Sequence, residues 1–287
     1  MNREFLKSVT EHLNAYFNKT LVIESYKQVY GGDINQSFII QTSEKKYFLK
    51  TNDRLADDMF EKEFNGLILL GKTSCINVPK PILYGANYII MECITKGNPC
   101  NDFWLRFADG LAALHKQTNL QFGLYENNYI GSLSQVNNYC SDWASFYSGY
   151  RIIPLVKKAY DQNKLDKQVV SLAEKLCSKF DGFFFAEAPS LLHGDLWSGN
   201  FMVNENGLPV IYDPAVYYGC REMDIAMTKL FGGFDKKLYT HYNEIFPLKQ
   251  GWQQRIDLCQ LYPLLVHFVL FGGHYYYNVM DILKKYS

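Results

Sequence analysis

The hydrophobic periodicity of this 287-residue chain changes once, near residue 94. Ahead of that point short segments suit strands: Leu21 to Tyr30, Ser37 to Gln41, Lys46 to Lys50 and Tyr88 to Glu92, with Gly31-Gly32 and a polar turn after Gln41 reversing the chain. Helical spacing occurs there only over residues 2 to 18 and from Asp57 to Leu70, the latter opened by Asp57-Asp58 at its positive end. Beyond residue 94 the spacing predicts long helices near 102–117, 142–161, 166–180, 222–230, 235–245 and 251–285. Strands first and helices afterwards specify an α+β chain: a small antiparallel β-sheet lobe over residues 1–94 and a larger, mostly helical lobe over residues 95–287. An apolar fraction of 48% can fill cores of that size.

One stretch of the helical half has another character. Leu192-His193-Gly194-Asp195-Leu196-Trp197-Ser198-Gly199-Asn200 runs into Phe201-Met202-Val203 and Val210-Ile211-Tyr212, two apolar runs separated by a Gly-containing loop, which reads as a β-hairpin. The hairpin carries Asn200 at one end and Asp213 at the other, so two oxygen donors can converge on one hard cation. In phosphoryl transfer a loop Asp accepts the proton of the attacking hydroxyl, an Asn five residues on holds Mg²⁺, and a second Asp beyond a short hairpin holds the metal that bridges the ATP phosphates. Asp195 fits the first role as catalytic residue, and Asn200 and Asp213 fit the metal roles. Asp and Asn between glycines are also ordinary turn residues. The hairpin and the second acid are what favour chemistry over a turn.

Two further positions follow from that template. Lys50 closes the third strand, where a lysine contacts the α- and β-phosphates and pairs with a helix glutamate, although most lysines are simply solvated. Glu63 is preferred to Glu61 as the partner, because residues 60, 64, 67 and 68 form the apolar face and Glu63 borders it. In the loop that carries Asp195, His193 serves as a brace, and Trp197 is an amphipathic aromatic whose face can stack while its N–H finds an oxygen.

The motif HGDLWSGN, the run from Asp213 to Met227 (DPAVYYGCREMDIAM) and Leu230-Phe231-Gly232-Gly233-Phe234 together resemble the fructosamine/ketosamine kinase family, over nearly the whole chain. That family is related to the aminoglycoside and choline kinases within the two-lobed protein-kinase-like fold. The resemblance implies ATP and Mg²⁺ as cofactors and phosphorylation at the sugar O3 of fructosamines or ribulosamines, as small molecules or on glycated lysines of proteins, after which the adduct decomposes and the amine is recovered. It implies that Gly31, Gly32 and Asn35 form a phosphate-binding loop, where glycines let backbone N–H groups approach closely. It further implies that Met91, Glu92, Cys93 and Ile94 form the linker whose backbone holds the adenine, and that the helix carrying His267 closes the sugar site. For His267 alone, a satisfied core histidine is the default. Some members carry a Cys in the glycine loop; this chain has Asp33, which excludes a disulfide there.

The rest of the composition narrows the class. With 29 basic and 29 acidic residues there is no global field to recruit nucleic acid. Seven dispersed cysteines with no Cys-x-x-Cys pair suggest reduced thiols in the cytoplasm, and six histidines without zinc-like spacing suggest no zinc site. The charged N-terminus does not fit a signal peptide, and the apolar stretch from Leu261 to Phe271 is too short to span a membrane. A monomer is expected. Two other readings stand beside the first: a small-molecule kinase of the aminoglycoside or choline type, and a non-catalytic pseudokinase that only binds.

Overall fold

The computed structural model describes residues 3–29, 35–53, 56 and 58–287; Gly31, Gly32, Asp33 and Asp57 lie outside the described residues. The small lobe comprises α1 (Arg3–Phe17), β1 (Ile23–Val29), β2 (Gln36–Thr42), β3 (Lys46–Thr51), α2 (Met59–Thr73), β4 (Pro81–Gly85) and β5 (Tyr88–Glu92). Its strands form one antiparallel sheet in the order β1-β2-β3-β5-β4. Successive strand residues point to opposite faces. Phe38, Ile40, Tyr47, Leu49, Tyr88 and Ile90 therefore meet Val9 and Leu13 of α1, while Ile89, Met91 and Phe48 meet Phe60 and Leu67 of α2. Lys50 shares the parity of Phe48, so the strand directs it toward α2.

The large lobe comprises α3 (Phe103–His115), β6 (Asn128–Ile130), β7 (Leu133–Gln135), α4 (Trp143–Tyr147), α5 (Ile153–Asp161), α6 (Lys167–Cys177), α7 (Phe180–Phe183), β8 (Ser190–Leu192), β9 (Phe201–Val203), β10 (Pro209–Ile211), β11 (Tyr217–Gly219), α8 (Glu222–Leu230), α9 (Lys236–Ile245), α10 (Trp252–Phe271) and α11 (Tyr275–Tyr286). One continuous core runs through Phe107, Leu111, Phe146, Leu192, Ile225, Leu258 and Leu265.

Two expected helices are divided. The 142–161 segment contains a π-helical turn, Ser148–Ile152, ahead of Pro154, whose ring and missing N–H are incompatible with an unbroken α-helical ladder. The 251–285 segment stops at Phe271, because Gly272 and Gly273 adopt φ of 68° and 66°, and restarts at Tyr275. Pro263, by contrast, is accommodated inside α10. The buried hydroxyl of Tyr147 accepts from the Tyr262 N–H at 3.3 Å and donates to the Leu258 carbonyl at 2.6 Å, bridging the ladder one residue before the proline.

Strand β4, the β6–β7 hairpin and the β8–β11 pair were not legible in the residue pattern. Pro81 demotes the first, and strands of three residues are too short for alternation to register. Among the described residues no helix is long and apolar enough to cross a membrane.

Candidate active site

Lys50 is buried at the α2 side of the sheet, with 6% of its surface exposed. Its ammonium lies 2.9 Å from Glu63 Oε1 and forms a second ion pair with Asp213 Oδ1. Glu63 rather than Glu61 is thus the helix partner, as its place beside the apolar face indicates. A cation this buried needs such partners, since desolvation without compensation costs several kcal/mol.

The short β8–β11 pairing sets the catalytic loop against the segment that follows Asp213. Gly194 sits at φ 85°, and a Cβ there would come within 2.0 Å of the Ala215 carbonyl oxygen, so only glycine fits. The Ala215 N–H donates to the His193 carbonyl at 2.8 Å, tying the two segments together. Beneath them lies Asp224 on α8. Its carboxylate accepts the backbone N–H groups of His193 (2.7 Å) and Gly194 (2.9 Å) and faces His115 Nε2 at 3.2 Å. Burial alone would raise the Asp224 pKa, but the His115 hydrogen bond and charge, His193 and the Gly194 N–H outweigh it and hold the carboxyl below the usual range. His193 is buried and kept below its ordinary pKa by desolvation, against the opposing pull of Asp224. Its Nε2 donates to the Tyr212 carbonyl at 2.9 Å, which leaves Nδ1 to accept the Asp195 N–H at 3.3 Å.

Asp195 and Asn200 are directly joined. The Asn200 amide donates to the Asp195 carbonyl at 2.8 Å and to its carboxylate at 3.1 Å, and also lies 3.5 Å from the Asp213 carbonyl. Burial pushes the Asp195 carboxyl up to about 7, with the Asn200 hydrogen bond opposing and the Asp224 charge reinforcing the shift. Asp213 occupies the left-handed region at φ 57°, a conformation that is uncommon outside glycine and that clusters at functional sites. The carboxylate of Asp213 and the amide oxygen of Asn200 are hard donors on one side of one cleft. Among the described residues no cluster of three His, Cys, Asp or Glu side chains could cage a metal. A two-ligand site of this kind suits Mg²⁺, which retains waters and uses phosphate oxygens for the remaining positions.

The cleft is lined by Asn35, Lys50, Glu63, Asp195, Trp197, Asn200, Asp213 and His267, and encloses about 190 Å³. Asn35 is fixed by Asn52, whose amide donates to Asn35 Oδ1 at 3.3 Å. Met91, Glu92, Cys93 and Ile94 are not among the lining residues. Met91 packs into the α2-side core, and Glu92 is engaged with the segment before β4, its N–H donating to the Lys80 carbonyl at 2.8 Å and its carboxylate accepting the Lys80 N–H at 3.2 Å.

Trp197, His267 and Phe271 of the cleft lining belong to an aromatic wall that residue pattern alone did not assemble. Trp197 meets Phe231 edge-on at 5.9 Å, Phe231 lies 5.0 Å from His267, and His267 lies 5.8 Å from Phe271 and 5.1 Å from Tyr275. Gly199 lies directly beneath the indole: a Cβ at that position would come within 2.2 Å of the Trp197 ring. Phe231 and Phe271 carried one readable signal, large apolar side chains beside paired glycines. The ion pairs of the Arg221-Glu222 motif lie outside this cleft. Arg221 binds Glu187 through two nitrogens at 3.1 and 2.8 Å and the carbonyls of Phe246 and Pro247, and Glu222 binds Arg255 at 2.8 and 2.6 Å.

Comparisons with known proteins identify the family. The fructosamine kinase family model matches residues 5–287. A Synechocystis protein named "Probable ketoamine kinase" is 36% identical, over 97% of this chain and 96% of its own. A chloroplastic protein-ribulosamine 3-kinase of Oryza sativa subsp. japonica is also 36% identical, over 93% of this chain and 80% of its own. Among solved structures, a candidate fructosamine-3-kinase from Thermobifida fusca superposes with a TM-score of 0.88 at 32% identity, over 96% of this chain and 97% of the other. A kinase-like architecture, a single cleft that gathers Lys50, Asp195, Asn200 and Asp213, and a family match from residue 5 to the last place this chain in the fructosamine kinase family.

Proposed function

We propose that this protein transfers the γ-phosphoryl group of ATP to the O3 hydroxyl of a ketosamine, a fructosamine or ribulosamine carried on a small amine or on a glycated lysine of a protein. The observation that carries this reading is the placement of Asp195 across one cleft from the Lys50–Glu63 pair, on a chain whose relatives include a ribulosamine 3-kinase. Asp195 orients the acceptor hydroxyl and takes its proton, a task for which a carboxyl raised to about 7 has suitable basicity near neutral pH. Lys50, held by Glu63, binds the nucleotide phosphates, and Gly31, Gly32 and Asn35 belong to the phosphate-binding loop. Met91 to Ile94 form the adenine linker through backbone groups, and the two lobes divide there, at residues 94 and 95. Mg²⁺, held by Asn200 and Asp213, supplies neutralisation of the phosphate charge. Trp197 stacks on the sugar and His267 borders it, orienting O3 toward Asp195. The phosphorylated adduct then decomposes and frees the amine, which makes the reaction a deglycation step. Dispersed thiols and balanced charge support a cytoplasmic monomer without nucleic-acid partners.

The test is a phosphorylation screen with ATP and Mg²⁺ across fructosyl- and ribulosyl-amines, glycated peptides, aminoglycosides and choline, with product position read by ³¹P–¹H correlation NMR. Phosphate on O3 of a ketosamine is the expected outcome. Turnover only on an aminoglycoside or choline, or nucleotide binding without turnover on any acceptor, would overturn the reading.

A further inference from the structure

Helix α2 is held from the large lobe by a contact that neither the phosphate chemistry nor the aromatic wall accounts for. Asp58, Lys62 and Asn65 lie at helical spacings of four and three and so form one stripe, adjacent to the stripe of Met59, Glu63 and Gly66. The second stripe faces the active site: Glu63 meets Lys50, and Gly66 packs against Pro214 and Val216, with room for only a tight Cβ at 3.4 Å. The first stripe faces the β6–β7 hairpin and Glu126 at its base, with Lys62 and Tyr129 at the edge of the same cleft. Lys62 Nζ lies 2.7 Å from Glu126 Oε2, Asn65 Nδ2 donates to Glu126 Oε1 at 3.1 Å, and the Tyr129 hydroxyl donates to Asp58 Oδ1 at 2.6 Å. Asp58 is the N-cap of α2, yet its side chain makes no capping bond to the helix.

The hairpin is itself fixed to the catalytic segment. Asn128 donates to the Val216 carbonyl at 2.7 Å, and Gln135 donates to the Ala215 carbonyl at 3.1 Å while accepting from the Tyr262 hydroxyl at 2.8 Å. At its base Asn137 donates to the Glu126 carbonyl at 3.1 Å and accepts from the buried Arg151 guanidinium at 2.6 Å. Buried polar groups that satisfy one another in this way fix a single arrangement, because any displacement leaves several unpaired at once.

We propose that Glu126 is a positioning residue: by gripping Lys62 and Asn65 from a hairpin anchored on the 215–216 backbone, it fixes the rotation of α2 and so keeps Glu63 against Lys50. The nucleotide-phosphate side of the cleft is thereby assembled by contacts within one chain. This rests on the reading of Lys50 and Glu63 as nucleotide contacts.

The experiment is a charge swap in the full-length protein. Glu126→Lys and Lys62→Glu each raise KM for ATP about tenfold, a coupling of ordinary size for a half-buried pair, with the KM of the acceptor changed by less than about twofold; Lys62→Glu/Glu126→Lys returns KM for ATP to within about threefold of wild type. Glu126→Gln, which keeps the Asn65 bond, is the milder variant should either reversal fail to fold, and is expected to show a rise of about threefold. Hydrogen exchange of amides 59–73 accelerates in the single variants and recovers in the swap. Unchanged KM for ATP in both single variants, or no recovery in the swap, would overturn the proposal. Glu63→Ala run alongside separates the two ideas. If it leaves KM for ATP unaltered, the nucleotide role of the pair is wrong. If it raises KM for ATP while the Glu126 variants do not, only the grip is wrong.

Discussion

Asn200 donates through its side-chain amide to both the backbone carbonyl and the carboxylate of Asp195, at 2.8 and 3.1 Å. The proposed base and metal ligand therefore hold one another directly. An asparagine at 195 can keep the acceptor oxygen for this bond while losing the ability to take a proton. Asp195→Asn should accordingly lower turnover by at least about 100-fold and leave nucleotide affinity within about threefold, since the lost function concerns the acceptor hydroxyl. Steady-state kinetics with nucleotide titration checks both halves.

The pH dependence of that carboxyl has a definite sign. With its folded pKa raised to about 7 by burial, Asp195 is protonated and inactive at lower pH, so kcat/KM for the acceptor falls on an acidic limb at or somewhat below pH 7; a bound divalent cation shifts that limb downward. In stability the same shift runs the other way. Between the unfolded value near 3.9 and about 7 the folded state holds more protons, so the stabilisation present below that window is lost as pH rises through it. Asp195→Asn should match wild type in Tm at pH 4 and exceed it by a few degrees at pH 8. The buried His193 has the opposite pH dependence, but it is common to both proteins and cancels in the comparison.

Removing the carboxylate of Asp213 tests the metal assignment. Asp213→Ala should weaken ATP binding by more than about tenfold in Mg²⁺ and by far less in its absence. Calorimetric titration with and without the metal decides, and equal loss in both would make Asp213 a structural partner of Lys50 only.

Gly199→Ala probes the aromatic wall without touching a reactive group. The added methyl would sit 2.2 Å from the indole ring, so Trp197 must move. The expected result is a rise of about tenfold in acceptor KM with KM for ATP little changed, because the displaced ring is the one proposed to stack on the sugar. A parallel change in both constants would point to collapse of the whole loop.

Much of this arrangement was readable because it depends on local periodicity. Strand parity directs Lys50 toward α2, the apolar face of α2 selects Glu63 over Glu61, and the runs on either side of the 204–209 loop bring Asn200 and Asp213 to one end of a hairpin. What was not readable depends on distance in the chain. The Tyr147 hydroxyl that lets α10 pass through Pro263 comes from a helix more than a hundred residues earlier, and the wall of Phe231, His267 and Phe271 is gathered from two elements that meet only after folding. The expected single helix over 251–285 failed at the paired glycines for a local reason, their positive φ, that the apolar spacing on either side concealed.

Arg221 and Glu222 have a consequence for how acceptor choice can change. Their charges are committed to Glu187, Arg255 and two carbonyls beyond the cleft, so this pair is part of the frame and not of the cleft wall. The aromatics of the wall proposed to border the sugar, Phe231 and Phe271, are exposed at 39% and 52%. Exchanging a few rim aromatics can therefore alter the cleft wall while the buried Arg–Glu frame stays untouched, so two proteins that share this frame can differ in the acceptor they take.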